Sequence, residues 1–276
     1  MDNKTIGVLL PVYRKDKPEY LSLAVSSILN QSYADFILFL GVDGPVDDNL
    51  SDTIDQFEKA DSRVRPIRFP ENRGLAVVLN DLINICQDNQ LQFIARMDAD
   101  DVSMPLRFER QMKFLSENPD IDVVGGAISE IDENGNSRNK TIIYPLWPEE
   151  CRAFFARRNP HAHPAVMFRR RFFDKIGHAY RPEYRQNQDT MLWLDGFAAN
   201  TLNANLPDIV LNFRMTESLF KKRRNGWKFA KKQFRDRRHI NRTLGYGFSA
   251  DLFGLAMFIL QLSPTWMRKA AYKIFR

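Results

Sequence analysis

The chain has 276 residues, 44% of them hydrophobic and 27% charged, enough to bury a sizeable core in one large domain with an appendage. Its two cysteines, Cys86 and Cys151, have neither metal-knuckle nor redox-pair spacing and read as reduced core thiols of a cytosolic protein. The first residues are hardly basic, and the short apolar stretch after them runs into Pro11 and Arg14-Lys15-Asp16, which argues against a signal peptide. The net charge of +6 is unevenly spread: residues 217–276 hold 15 Lys and Arg against 3 Asp and Glu, so residues 1–216 carry −6. Such asymmetry predicts a separate partner surface at the C-terminal end.

In chain order, short apolar runs alternate with segments of helical period. Ile6–Val12 reads as a strand and Tyr20–Leu29 as a helix, with Pro18 suited to its first turn. Phe36–Val42 is a second strand, Asp48–Lys59 a helix, and Val64–Phe69 a weaker third strand. Leu75–Cys86 places Leu75, Val78, Leu79, Leu82 and Ile85 on one helical face, and Gln92–Met97 is a fourth strand. Pro105 opens a helix through Phe108, Met112 and Leu115 that ends near Asn118-Pro119. Ile121–Gly125 is a further strand, residues 127–146 a polar hairpin turning at Glu133-Asn134-Gly135-Asn136, and residues 187–200 one more helix. Near-continuous apolar strands alternating with helices predict an α/β fold, a mostly parallel sheet covered on both faces.

In such sheets ligands sit beyond the carboxyl ends of the strands. Polar clusters follow each of the first four strands: Pro11-Val12-Tyr13, the Asp43 loop, Asn72-Arg73, and Asp98-Ala99-Asp100-Asp101. The aspartates are the informative group. A helix cap by Asp101 or Ser103 accounts for one carboxylate and leaves the others exposed to mutual repulsion. Asp98 and Asp100, two apart on an extended backbone, point the same way and offer hard oxygen ligands. Mg²⁺ or Mn²⁺ held by one or two carboxylates also grips substrate phosphates, so a nucleoside diphosphate is the expected ligand. No G-x-G-x-x-G follows the first strand and no G-x-x-x-x-G-K-[ST] occurs, which disfavours dinucleotide dehydrogenases and excludes P-loop NTPases.

The segments "LLPVY", "GVDG", "ENRGLAVVLN", "ARMDADDVSMPLRFERQMKFL", "HPAVMFRR" and "QDTMLWL", in this order and at these distances, resemble the inverting family 2 glycosyltransferases of the GT-A fold, above all bacterial enzymes that build O-antigen and capsule repeat units. The resemblance covers about residues 5–215. It implies a catalytic domain over 1–216, with residues 1–101 binding nucleotide and 102–216 the acceptor. Pro11, Val12, Tyr13 and Asp43 would hold uracil, and Asn72 and Arg73 would lie near the nucleotide. Asp98 and Ala99 would meet the ribose or sugar, and Asp100 would bind Mn²⁺ or Mg²⁺. Asp189 would be the catalytic base, although Gln188 stands where the family usually has Glu. His161 and His163, read on one strand, face alike, so one could reach the cation or the diphosphate, the alternative being a rim histidine hydrogen-bonded to backbone; of the two, His163 matches the family's His-Pro-x-Val-x-Phe segment and is the one expected as an extra ligand of the cation. The run Arg169-Arg170-Arg171 reads as a solvated face. The implied reaction moves one hexose, galactose or glucose, from a UDP-sugar to a polyprenyl-diphosphate-linked saccharide, with a β-linked product. The Gln-x-x-Arg-Trp motif and spanning helices of the superfamily's processive polysaccharide synthases are missing, which favours a single transfer.

Residues 219–242 interleave Lys and Arg with Phe220, Trp227 and Phe234, and residues 252–262 form an apolar stretch too short to cross a bilayer. With "TWMRKAAYKIF" after them, they predict a helical tail over 217–276 lying on the anionic inner-leaflet surface at the cytoplasmic face. Nucleic acid is not expected as a partner. Two rival readings are a nucleotidyltransferase, which would want a Gly-rich basic loop after the first strand, and a non-enzymatic membrane- or polyanion-binding module.

Overall fold

Alternation along strand β1 (Ile6–Val12) sends Ile6, Val8, Leu10 and Val12 into one buried cluster and Leu9 into another, so the strand is covered on both faces. The computed structural model, which describes residues 4–216 and 227–263, builds a nine-stranded sheet around it. Strand β2 (Phe36–Val42), β3 (Val64–Arg68) and β4 (Phe93–Arg96) complete a parallel half in the order β3-β2-β1-β4. Helices α1 (Pro18–Leu29) and α2 (Asp48–Ala60) lie against one face, and α3 (Leu75–Asp88) against the other. The chain runs outward from β1 to β3 and returns to β4 on the other side of β1. A crevice therefore opens where β1 and β4 end.

The second half continues through β5 (Val102–Ser103), α4 (Arg107–Glu117), β6 (Val123–Ile131), β7 (Ser137–Ile142), α5 (Pro148–Phe155), β8 (Met167–Arg169), α6 (Arg171–Ile176), α7 (Gln188–Ala198) and β9 (Asn203–Arg214). Strand β8 is antiparallel between β4 and β6, while β6 and β9 are parallel along almost their whole length. The strand expected to stop at Gly125 runs on to Ile131, because β9 pairs with it beyond the two glycines and the Asn134-Gly135 turn folds β7 back onto its far end. Glycine at 125 leaves room for the Asn205 side chain.

The Arg169–Arg171 run is not a solvated face. Arg171 Nε donates to Asp122 Oδ1 at 2.7 Å, Lys175 Nζ to Asp122 Oδ2 at 2.7 Å, and Arg169 Nε to Ile121 O at 3.0 Å. Asp122 is fully buried, and a buried carboxylate demands such partners.

Helices α8 (Trp227–Leu244) and α9 (Phe248–Leu262) follow. Ala230 and Ile240 of α8 are fully buried, so this helix is bound to the catalytic body. Trp227 and Phe234 both meet Phe258 of α9, at 5.4 and 5.3 Å, so the described part of the aromatic stripe is spent between the two helices. Phe220 and residues 265–275 lie outside the described residues. The other faces are open. Lys231, Arg235, Arg238 and Arg242 form an exposed basic stripe on α8, and Phe248, Leu252, Leu255, Ile259 and Leu262 an exposed apolar stripe on α9. No helix among the described residues is long and apolar enough to cross a membrane.

Candidate active site

Three loops reach the β1–β4 crevice. At the end of β1, Pro11 pairs with Gly41 of β2 beyond Leu9, the last residue paired with β4, so the proline's missing N–H falls where one neighbouring strand has ended. Val12 O accepts from Asp43 N at 2.7 Å, and Tyr13 N donates to Asp16 Oδ2 at 2.9 Å.

Asp43 organises the second loop. Its Oδ1 accepts from Arg73 N at 2.7 Å; its Oδ2 accepts from Asn72 Nδ2 at 2.9 Å and Gly74 N at 3.0 Å. A carboxylate offers about four acceptor positions, so one direction remains for a ligand donor. Gly44 carries φ +83°, and a Cβ there would meet the Asn72 backbone nitrogen at 2.6 Å. The Arg73 guanidinium is ion-paired with Asp81 and lies 4.4 Å over the Phe69 ring.

The third loop holds the aspartates. Strand β4 stops at Arg96 and the chain turns at Ala99-Asp100, so the carboxylates are gathered by a turn and not by strand alternation. Asp98, Asp100 and Asp101 each bring a carboxylate oxygen within 4.8 Å of the others. Two buried arginines that sequence reasoning missed hold this turn. Arg96 is ion-paired with Asp98; Arg214 donates from its backbone N to Asp101 Oδ1 and from Nε to Asp100 O, both at 2.8 Å. That compensation is incomplete. Burial and then the Asp98 charge push Asp100 up to about 6, and Asp101, fully buried with Oδ2 unpartnered among the described residues, is raised well above its ordinary value. A hard, all-oxygen donor set with surplus negative charge fits Mg²⁺ or Mn²⁺. Neither Asp101 nor Ser103 caps α4, since Asp101 binds Arg214 and Ser103 lies in β5.

Asp189 lies in the first turn of α7, half-buried, and its Oδ2 accepts from Asn159 Nδ2 at 2.8 Å; Asn159 Oδ1 in turn accepts from Thr190 Oγ1 at 3.1 Å. Asn187, left-handed at φ 61°, starts the helix, and α8 grips it: Gln233 Nε2 donates to Asn187 Oδ1 at 2.9 Å, and Asn187 Nδ2 to Asp236 Oδ2 at 3.3 Å.

The two histidines depart from expectation. They do not share a strand face: His161 is in a loop and His163 begins a 3₁₀ turn, His163–Ala165. The Asn205 amide donates to Pro145 O and Pro160 O, so its oxygen accepts from His161 Nδ1 at 2.8 Å. His163 Nε2 lies 2.6 Å from the Tyr180 hydroxyl, and His163 is outside the carboxylate group, so the geometry gives that nitrogen to Tyr180 and not to a cation. Burial keeps both rings neutral, His161 lowered to about 4, and Arg96 adds to the depression of His163.

Tyr180 is the unforeseen link. Asn80 of α3 clamps its backbone in both directions, Nδ2 to Tyr180 O at 2.8 Å and Tyr180 N to Oδ1 at 2.7 Å. Burial raises the phenol; Arg96 opposes that shift, and Asp189 and Asp98 add to it. No local pattern marks Tyr180 or Asn159; Arg96 is marked only as a charge inside an apolar run.

The solved structure of S. aureus TarS 1–349 with UDP-GlcNAc superposes with TM-score 0.66 over 94% of this chain and 82% of that one at 14% identity, which shows the GT-A fold. Among curated relatives, the amylovoran biosynthesis glycosyltransferase AmsE of Erwinia amylovora is 32% identical over 228 residues, 82% of each chain. The Escherichia coli UDP-Gal:alpha-D-GlcNAc-diphosphoundecaprenol beta-1,3-galactosyltransferase is 27% identical over 274 residues, 99% of this chain and 96% of that one. The family described as glycosyl transferase family 2 matches residues 7–177, and with the crevice, the carboxylate turn and these relatives the chain belongs to that family.

Proposed function

We propose that the protein is an inverting, cation-dependent hexosyltransferase that moves galactose or glucose from a UDP-sugar to a lipid-diphosphate-linked saccharide in surface-polysaccharide assembly. The observation that carries the reading is the group of Asp98, Asp100 and Asp101 just past the end of β4, whose carboxylate oxygens lie within 4.8 Å of one another where the crevice opens. The E. coli relative, named for a UDP-galactose donor and a diphosphoundecaprenol acceptor, supports the substrate classes.

In this reading Pro11, Val12 and Tyr13 flank the base, and the free acceptor direction of Asp43 meets a uracil N–H. Asp98 and Ala99 contact the ribose or sugar, and Asp100, with Asp101 behind it, holds the cation. When bound, Mn²⁺ or Mg²⁺ supplies charge neutralisation for the departing diphosphate. Asp189 takes the proton of the acceptor hydroxyl as its oxygen bonds to the anomeric carbon. The bond from that carbon to the diphosphate breaks on the opposite side, UDP leaves, and an α-linked donor yields a β-linked product. Asn159, donating to Asp189 Oδ2, orients the carboxylate.

The exposed apolar stripe of α9 beside the basic stripe of α8 supports attachment to an anionic membrane surface at the cytoplasmic face, where such an acceptor is anchored. The test is incubation with a panel of UDP-sugars, Mn²⁺ and a synthetic lipid-diphosphate saccharide, read by mass. One added hexose and released UDP are expected, and no mass gain with any UDP-sugar refutes the reading.

A further inference from the structure

We infer that helix α8 positions the candidate base: Gln233 and Asp236, acting through Asn187, and Arg237, acting through the chain that leads to Asn159, hold the turn that presents Asp189. The inference rests on the reading of Asp189 as the general base proposed above and names the residues that fix it in place.

Asn187 is the residue on which α7 starts, and its backbone is left-handed, φ 61° and ψ 24°. Residues other than glycine hold such a conformation only where their surroundings impose it. Asparagine at a helix start ordinarily turns its side chain onto the N–H groups of the first turn. Here it makes no such cap, and both ends of its amide go to α8. Asp236, 4% exposed and with a carboxylate that only accepts, fixes the sense of that amide. Asn187 Nδ2 donates to Asp236 Oδ2 at 3.3 Å, which leaves Asn187 Oδ1 to accept from Gln233 Nε2 at 2.9 Å. Lys232, on the same helix, donates to Gln186 O at 3.2 Å and lies 5.1 Å over the Tyr184 ring. Residues 184, 186 and 187 are thus bound to one stretch of α8, just before Asp189.

That stretch also holds the other side of the base. Arg237, next along α8 from Asp236, donates to Phe155 O at 2.5 Å and to Arg157 O at 3.4 Å, where α5 ends. Asn159 follows two residues later, its Nδ2 donating to Asp189 Oδ2 at 2.8 Å and its Oδ1 accepting from Thr190 Oγ1 at 3.1 Å. The contacts close a ring: α8 to Asn187, along the first turn of α7 to Asp189, across to Asn159, and through Arg157 back to α8. Gln233 and Arg237 are one turn apart, about 6 Å along the helix, so a single turn of α8 sets the spacing of both segments. Placement of this kind governs rate, since a base displaced by about 1 Å can lose about a hundredfold.

The test combines hydrogen exchange and steady-state kinetics on the full chain. The Met191 amide, whose bond to Asn187 O at 3.1 Å closes the first turn of α7, reads the grip without any turnover. In Gln233→Leu that amide should exchange at least about tenfold faster, and kcat should fall at least about tenfold while KM for the UDP-sugar and UDP affinity stay within about twofold. Asn187→Asp sets two carboxylates against each other and should do the same. The swap Asn187→Asp/Asp236→Asn restores a donor and acceptor in reversed sense and should recover both readouts, which separates the grip from the charge added near Asp189. Unchanged Met191 protection in both single variants overturns the inference. So does a swap variant no better protected than Asn187→Asp, or a loss of UDP affinity that matches the loss of kcat, the mark of a general structural role. A wild type inactive with every UDP-sugar refutes the base reading alone, and the amide result still decides whether α8 holds this turn.

Discussion

Lowering the pH from neutral should release Mn²⁺ from the aspartate turn, and the structure sets the size of the effect. Asp100 is pushed up to about 6, first by burial and then by Asp98. A proton and a cation compete for the same oxygens, so the apparent dissociation constant scales inversely with the deprotonated fraction. With that pKa, about one carboxyl in ten is protonated at pH 7 and about ten in eleven at pH 5, so affinity should fall about tenfold, or about 1.4 kcal/mol. Without metal the sign for stability is the reverse of an ordinary paired aspartate. The folded state holds a proton that the unfolded state has released between the ordinary value of 3.8 and about 6, so stability declines as pH rises through that window. Calorimetric titration with MnCl₂ in buffers of differing ionisation enthalpy should read about one proton released per cation near pH 5 and almost none at neutrality. Affinity that stays flat between pH 5 and 7, or Asp100→Asn binding Mn²⁺ like the wild type, would refute this account of the site.

Asp189→Asn should lower transfer by at least about a hundredfold while UDP binds as before; comparable loss of both would show a binding role instead of a general base. Gly44→Ala must place a side chain against Asn72 at a left-handed φ, straining the loop by about 1–2 kcal/mol. Its UDP affinity and melting temperature should fall while Mn²⁺ affinity holds, and unchanged UDP affinity would separate the Asp43 clamp from the nucleotide. Replacing Leu252, Leu255 and Ile259 together by Gln should abolish co-sedimentation with phosphatidylglycerol vesicles, at a stability change within about 0.5 kcal/mol per exposed site. Undiminished sedimentation would mean that α9 is not the docking face. Truncation at residue 217 is a poorer test, because Ala230 and Ile240 are core residues and their loss should lower the melting temperature by itself.

The parallel half was legible to within about two residues at each element end. β1 and β2 match the apolar runs Ile6–Val12 and Phe36–Val42 end to end, because a strand buried on both faces has no polar residue to blur its limits. The second half was harder to read. β8 has three residues, α6 has six, and β9 carries Asn203, Asn205 and Asp208 in its pattern. Short or polar elements of this kind draw their stability from neighbours distant in the chain and leave little periodicity behind. The arginine run failed for the same reason, since its partner Asp122 lies about fifty residues away.

Chain order and residue type by themselves determined the α/β class, the strand ends at which Asp43, Asn72, Asp98 and Asp100 emerge, and the family, because alternation and helical period are local properties. Only the tertiary structure decided how the charges are managed: Arg96 and Arg214 beneath the aspartates, Tyr180 closing on His163, Asn159 on Asp189, and α8 on the start of α7. Each of these joins groups brought together by packing, and a buried charge or hydroxyl takes whichever partner the fold delivers to it.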